Sequence, residues 1–250
     1  LAEKNELPAA QAMITNNLAI VWQKKMMNPR ALDLYHQSLT LARQVGDKQL
    51  EVSVLENLGT MAHERADYGD ALKTYSEALE KSERFGFKPQ ALSLRLNLAN
   101  VFFLLGFEER AEEFLKSIEG QGIPGSFRVH ASILRSHYAL LLKERERFET
   151  SLALARQDLK EFPSDQDGLF LTLLEIEFFI DSNRLSKADE LLGENNFRIL
   201  AAKNDRLETQ TDLCRARLFI SRDSGEVEAG QILQGLLVYH RARENRETLW

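Results

Sequence analysis

Of the 250 residues only one, Cys214, is a cysteine, which excludes an internal disulfide and any cysteine-built zinc site. Prolines number 5 and glycines 13, so long stretches are free of helix breakers, and helices are favoured. No long apolar run is present. The most apolar segment, from Gly168 to Ile180, is too short to span a bilayer and carries Glu175 and Glu177, so it reads as a buried helix. Positive charge is not in excess either: the formal net charge is −6, and the densest basic stretch, Arg241 to Arg246, is diluted by Glu244. A phosphate backbone is repelled on average, so neither nucleic acid nor membrane is an expected partner of this segment. The lone cysteine fits a reducing compartment, and the expected location is cytoplasmic.

What remains, 44% hydrophobic and 28% charged residues, describes a foldable chain that is neither disordered nor membrane-spanning. Because the chain opens at Leu1, it is expected to be an excerpt of a longer protein.

An internal echo organises the sequence. Asn17-Leu18-Ala19 returns 40 residues later as Asn57-Leu58-Gly59 and 40 after that as Asn97-Leu98-Ala99. Twelve residues beyond each small residue stands Ala31, Ala71 or Ala111, followed four later by Tyr35, Tyr75 or Leu115. Ala139 with Ser151, then Ala188 and Ala229, carry the register onward, giving steps of 40, 40, 40, 37 and 41. Each unit splits into two helical patterns. In the second unit, Val54, Leu55, Leu58, Met61 and Ala62 mark helix A over 50–64. A turn at 66–69 leads to helix B over 70–85, marked by Ala71, Leu72, Tyr75, Ala78 and Leu79 and stopped by Gly86. Pro29, Pro89, Pro124 and Pro163 fall near helix starts or between helices. The small residues let two antiparallel helices approach closely, Gly59 facing Ala71, Ala19 facing Ala31 and Ala99 facing Ala111. One pair cannot bury its apolar faces alone, so neighbours must stack.

Leu55, Leu58-Gly59, Ala62, Ala71, Tyr75 and Ala78 resemble the tetratricopeptide repeat motif, with Trp22 in the tyrosine slot of the first unit. The period near 40, longer than the basic repeat of about 34, is similar to the extended-repeat subgroup of kinesin light chains, the Leu-Gly-Asn-rich spindle adaptor and bacterial maltose-activator-like regulators. The resemblance implies an all-α, right-handed α-solenoid of about six repeats in a single domain, over 9–46, 49–86, 88–122, 126–163, 166–196 and 204–243. In the fifth and sixth units Ile176 and Arg217 replace the small helix-A residue.

The same resemblance implies that A helices line a concave groove and that the asparagine slot holds the backbone of an extended peptide. An amide offers both a donor and an acceptor, and asparagine is a poor helix former, so a mid-helix ladder of Asn17, Asn57 and Asn97 asks for a reason. Contact with a ligand and bonding to the adjacent helix are the two open readings. The expected peptide-binding residues are Asn16, Asn17, Glu56, Asn57, Thr60, His63, Leu96, Asn97, Asn100 and Phe103, with Leu96, Phe103, Phe170 and Leu173 as an exposed apolar patch. A carboxylate clamp is not implied, because the matching positions hold Asn16, Ser93 and Asn97.

No catalytic residues, metal site or cofactor are expected. Gly120-Gln121-Gly122-Ile123-Pro124-Gly125 spells a G-x-G-x-x-G string without a preceding strand, and reads as a turn. His130 and His137 stand two turns apart but lack a third ligand. The expected function is a non-enzymatic module binding a protein or peptide segment. A regulatory segment holding its own effector domain is one alternative. Self-association, through Leu249-Trp250 or an exposed end repeat, is another, so a homo-oligomer is possible.

Overall fold

Apolar residues three and four positions apart, with few breakers between them, give helices throughout the computed structural model. Its backbone is described for residues 3–25, 28–120, 122–193, 205–222 and 225–247, and its side chains for 7–25, 28–120, 122–193, 208–222 and 225–237. The expected repeat boundaries at 194–196 and 204, Gln121, the side chains of Arg241 to Glu247, and Leu249-Trp250 lie outside the described residues. Helices α1 (Glu3–Lys24), α2 (Asn28–Val45), α3 (Lys48–Glu64), α4 (Tyr68–Phe85), α5 (Lys88–Leu104) and α6 (Glu108–Lys116) form a first compact unit, spanning Leu1–Ile123. Helices α7 (Gly125–Leu141), α8 (Arg145–Glu161), α9 (Asp165–Asp181), α10 (Leu185–Gly193), α11 (Asp205–Ile220) and α12 (Glu226–Glu247) form a second, spanning Pro124–Trp250. No strand occurs among the described residues.

Odd-numbered helices are A helices and even-numbered ones B helices. Within each unit an A helix packs on its own B helix, each B helix packs on the next A helix, and successive A helices touch, as expected of an all-α solenoid of tetratricopeptide-like pairs. Pro8 lies inside α1, where its missing N–H gives up one backbone bond near the open end of the helix.

The turns share one closure. The N–H of Asp67, Phe107, Glu144 and Arg184 bonds the carbonyl five residues back, on Ala62, Phe102, Ala139 and Phe179, at 2.7–2.9 Å. Asp47 and Phe87 do the same at the B-to-A turns. This is the Schellman arrangement, which needs a left-handed residue just before the donor. Glycine fills that slot at Gly46, Gly86 and Gly106, but Ala66, Lys143 and Asn183 fill it elsewhere, with φ of 55–59°. Asp47 and Asp67 also cap the following helix, their carboxylates accepting from the N–H of Leu50 and Asp70.

This closure fixes the register, and it corrects one expectation. Ala66, Gly106, Lys143 and Asn183 are equivalent, so Ala139 occupies the slot of Ala62, and the small helix-A residue of the fourth pair is Ser136. Its helix-B counterpart is Phe148 rather than Ser151, and Ser136 and Phe148 are both fully buried. Both candidate pairs are twelve residues apart, and three residues is nearly one helical turn, so spacing alone could not separate them.

The crossing itself has a further member. Gly59 lies under the ring of Tyr75: a Cβ on Gly59 would fall 2.6 Å from the ring carbons Cδ1 and Cε1. In the second unit Gly125 plays a similar part, since a Cβ there would fall 2.1 Å from the Phe162 ring. The last glycine of the G-x-G-x-x-G string is therefore a packing residue at the start of α7.

Buried charge ties the first two pairs together. Glu51, 2% exposed, receives Arg43 from α2 at 3.1 Å, Lys48 at 3.0 Å and Lys81 from α4 at 3.2 Å. Three cations on one carboxylate satisfy both oxygens, the condition under which burying a charge is tolerable.

The shared turn predicts a pair of opposite effects. Gly106 has open space around it, so Gly106→Ala should cost about 1 kcal/mol from the left-handed backbone alone. Ala66→Gly should gain up to a similar amount, the relief of strain offset in part by unfolded-state entropy. Urea denaturation of the two variants beside the wild type measures both signs.

Candidate functional site

The A helices of the first unit carry the expected site residues, and their polar side chains bond from one helix to the next. Asn57 on α3 donates its amide N–H to Oδ1 of Asn16 on α1 at 3.2 Å. Asn97 on α5 donates to Oε1 of Glu56 on α3 at 3.3 Å, and the Ser93 hydroxyl donates to the same oxygen at 2.5 Å. The amide of Asn100 meets Nε2 of His63 at 3.2 Å, and Gln23 donates to Glu64 at 3.2 Å. Each ladder asparagine thus reaches back to the residue just before the equivalent asparagine of the preceding pair. Asn17, at the head of the ladder, is exposed and has no hydrogen-bond partner among the described residues.

The bond to the adjacent helix is thus present at Asn57 and Asn97, and it leaves part of each amide unused. Asn57 and Asn97 each use one amide N–H on the neighbouring helix, while an amide carries two N–H groups and a carbonyl. Asn57, Thr60, His63, Leu96, Asn97 and Asn100 are all half-buried, whereas Asn16 is buried at 7% exposure. Thr60 donates to the Glu56 carbonyl at 3.0 Å and accepts the Tyr75 hydroxyl at 3.1 Å, so it orients the ring that covers Gly59. Burial pushes the Tyr75 hydroxyl up to about 12.

The expected apolar patch does not form as such. Phe103 is 2% exposed and Leu173 is 3% exposed, and only Leu96 and Phe170 stay half-buried. A phenyl or isobutyl group has no polar atom that needs water, so burial is its lower-energy position wherever the packing allows it.

In the second unit the cross-helix contacts are charged. Arg217 on α11 meets Asp181 on α9 at 2.6 Å, and the Cys214 thiol lies 3.8 Å from a Glu177 carboxylate oxygen. Burial, reinforced by that carboxylate, pushes the Cys214 thiol up to about 12, so it stays protonated and unreactive at neutral pH. His130 Nε2 stands 3.3 Å from Asp167, and His137 turns edge-on to Phe170 with ring centres 6.0 Å apart. A cavity of about 180 Å³ between Phe148, Phe178 and Lys143 is smaller than the roughly 300–1,000 Å³ usual for small-molecule sites.

Sequence spacing did not single out Ser93 as a partner of Glu56 or the three cations around Glu51. The available signal for the latter was a glutamate standing where α1 has Gln11 and α5 has Ala91, both forty residues away.

Glu51 and Glu56, on the same helix, titrate in opposite directions. Burial raises the Glu56 carboxyl above the ordinary range, only partly opposed by the bonds from Ser93 and Asn97. Burial also acts on Glu51, but the bonds from Lys48, Lys81 and Arg43 outweigh it and hold that carboxyl low. A raised folded-state value contributes stability below the unfolded value, near pH 4, and loses it as pH rises through the folded value. A lowered one contributes stability above the unfolded value and loses it as pH falls. Glu56→Gln should therefore match the wild type near pH 4 and melt higher at pH 7, whereas Glu51→Gln should melt lower at pH 7 and close the gap in acid. Thermal melts across that pH range test both signs.

Residues 10–84, which cover most of α1 to α4, match the tetratricopeptide repeat family. No curated protein matches the chain. No helix among the described residues is long and apolar enough to cross a membrane. Tetratricopeptide repeats generally mediate protein–protein interactions and are typically non-catalytic. Residues 10–84, the first two helix pairs, are thus tetratricopeptide repeats, and further antiparallel helix pairs follow them among the described residues.

Proposed function

We propose that the first unit binds an extended segment of a protein partner along its A-helix face. The observation that carries this reading is the row of half-buried side-chain amides on α3 and α5. Each is held at a fixed angle by one bond to the neighbouring helix and keeps further hydrogen-bonding capacity. A pre-oriented amide loses little side-chain entropy on binding, and it can pair with the N–H and C=O of a peptide whatever its sequence. Selectivity then falls to the side chains between the amides. Glu56 is a carboxylate that burial makes reluctant to ionise, and a cationic group on the partner would relieve that strain.

The reading is tested with peptides selected from a random phage-displayed library on the whole chain. Asn57→Ala with Asn97→Ala should weaken their binding about tenfold or more, since each lost amide bond is worth about 0.5–1.5 kcal/mol. Circular dichroism at the assay temperature checks that both proteins are folded. Glu56→Gln keeps an acceptor for Ser93 and Asn97, so it should weaken only peptides carrying lysine or arginine. Selected peptides that bind wild type and double variant alike would place the interaction elsewhere.

A further inference from the structure

The turn of the fourth helix pair repeats that of the second with one ring missing. The Ala62 carbonyl takes the N–H of Asp67 and the Ala139 carbonyl takes that of Glu144, so the residues that follow, Tyr68 and Arg145, share a slot. Tyr68 lays its ring against the cluster that holds Ala62, Ala71 and Val101, 5.9 Å from the ring of His63. In the second unit the same three slots hold Ala139, Phe148 and Phe178, clustered with Leu140, the counterpart of His63. Arg145 adds nothing to that cluster. Its side chain is 62% exposed and turns to Glu149 at 3.1 Å.

At this place a cavity of about 180 Å³ remains, with Ala139, Leu140, Phe148 and Phe178 as its apolar lining. An apolar cavity of roughly 150 Å³ takes up benzene, so one phenyl ring fits. The two phenyl groups already stack, with ring centres 4.6 Å apart and planes 27° apart, and a third ring can add to them face or edge. The charged groups of the lining are spent on one another or on neighbours, with one exception. Glu144 is held by Arg147 at 3.1 Å, Asp181 by Arg217 at 2.6 Å and Arg145 by Glu149. Lys143 is exposed and has no ion-pair partner among the described residues, which leaves one uncompensated positive charge beside the cavity.

We propose that this cavity docks a protein partner by a single phenyl-bearing side chain, Phe or Tyr, whose neighbouring carboxylate meets Lys143. The guest ring supplies between molecules what Tyr68 supplies within the chain, and the carboxylate answers the one free cation. The site lies wholly in the second unit and does not depend on the amide row of the first.

The whole chain, labelled with 15N, is titrated with the blocked tetrapeptide Gly-Phe-Asp-Gly while backbone amide shifts are followed. The amides of Leu140, Phe148 and Ser182 should move. Replacing Phe by Ala in the peptide should weaken binding about tenfold or more, and replacing Asp by Asn about threefold. Lys143→Gln should bind the Asp and Asn peptides alike. Arg145→Tyr restores the ring of the second pair at an exposed position, so it should fill the cavity, raise the melting temperature and abolish the shifts, with circular dichroism checking the fold. The proposal is overturned if the amides around the cavity stay still, or if the Ala peptide binds as the Phe peptide does. Shifts confined to α3 and α5 would assign the peptide to the amide row and overturn it too, as would undiminished binding by Arg145→Tyr. Equal binding of the Asp and Asn peptides by the wild type would overturn the pairing with Lys143.

Discussion

The ring of Tyr75 rests on the bare backbone of Gly59, and the volume exchange at that crossing sets how closely each helix pair can close. Interiors are packed to crystal-like density, so a gain on one helix must be matched by a loss on its partner. The sequence of pairs follows that rule. Glycine or alanine on helix A shares this register with tyrosine in the first two pairs, while Ser136 and Ile176 share it with Leu152 and Leu192. Ile176 and Leu192 are buried at 0 and 5% exposure, so a branched side chain is accommodated where glycine stands in the second pair. The sixth pair departs: Arg217 bonds Asp181, and Leu233 is left partly in water.

Polar groups follow the same repeat but serve a different end. On α3, Glu51 faces three cations and is stable as an anion, while five residues along Glu56 receives only a hydroxyl and an amide. One helix thus carries a satisfied charge that fastens repeats together and an incompletely satisfied one beside the amide row. The two carboxylates are separated by little more than one helical turn, so the surface proposed for recognition is held rigid close to the point where it is least stable on its own.

Much of this was legible beforehand. The forty-residue echo marked the register of the first three helix pairs, because small residues and apolar spacing report backbone approach directly. The asparagine ladder was legible as a pattern, but its bonds were not. Sequence shows that Asn57 and Asn97 are equivalent, yet not that each reaches one residue past its counterpart's slot. The fourth pair was misregistered because Ala139 and Ser136 differ by nearly a full turn and both face inward; only the left-handed Lys143 separates them. Phe103 was placed on a surface by counting from Asn97 and Asn100, and counting cannot tell which side of a ridge a phenyl ring will bury.

Asp47 and Asp67 each end one helix and begin another, their N–H closing the helix behind and their carboxylate capping the helix ahead. A connection built this way has no slack, since an inserted or deleted residue would strip one helix terminus of its partner and rotate the next helix off its face. Drift in chain length is therefore tolerable only where two termini do not share a residue. The stretch between α6 and α7 is such a place, and it is there that the interval from Ala111 to Phe148 falls to 37 residues, three short of the intervals on either side.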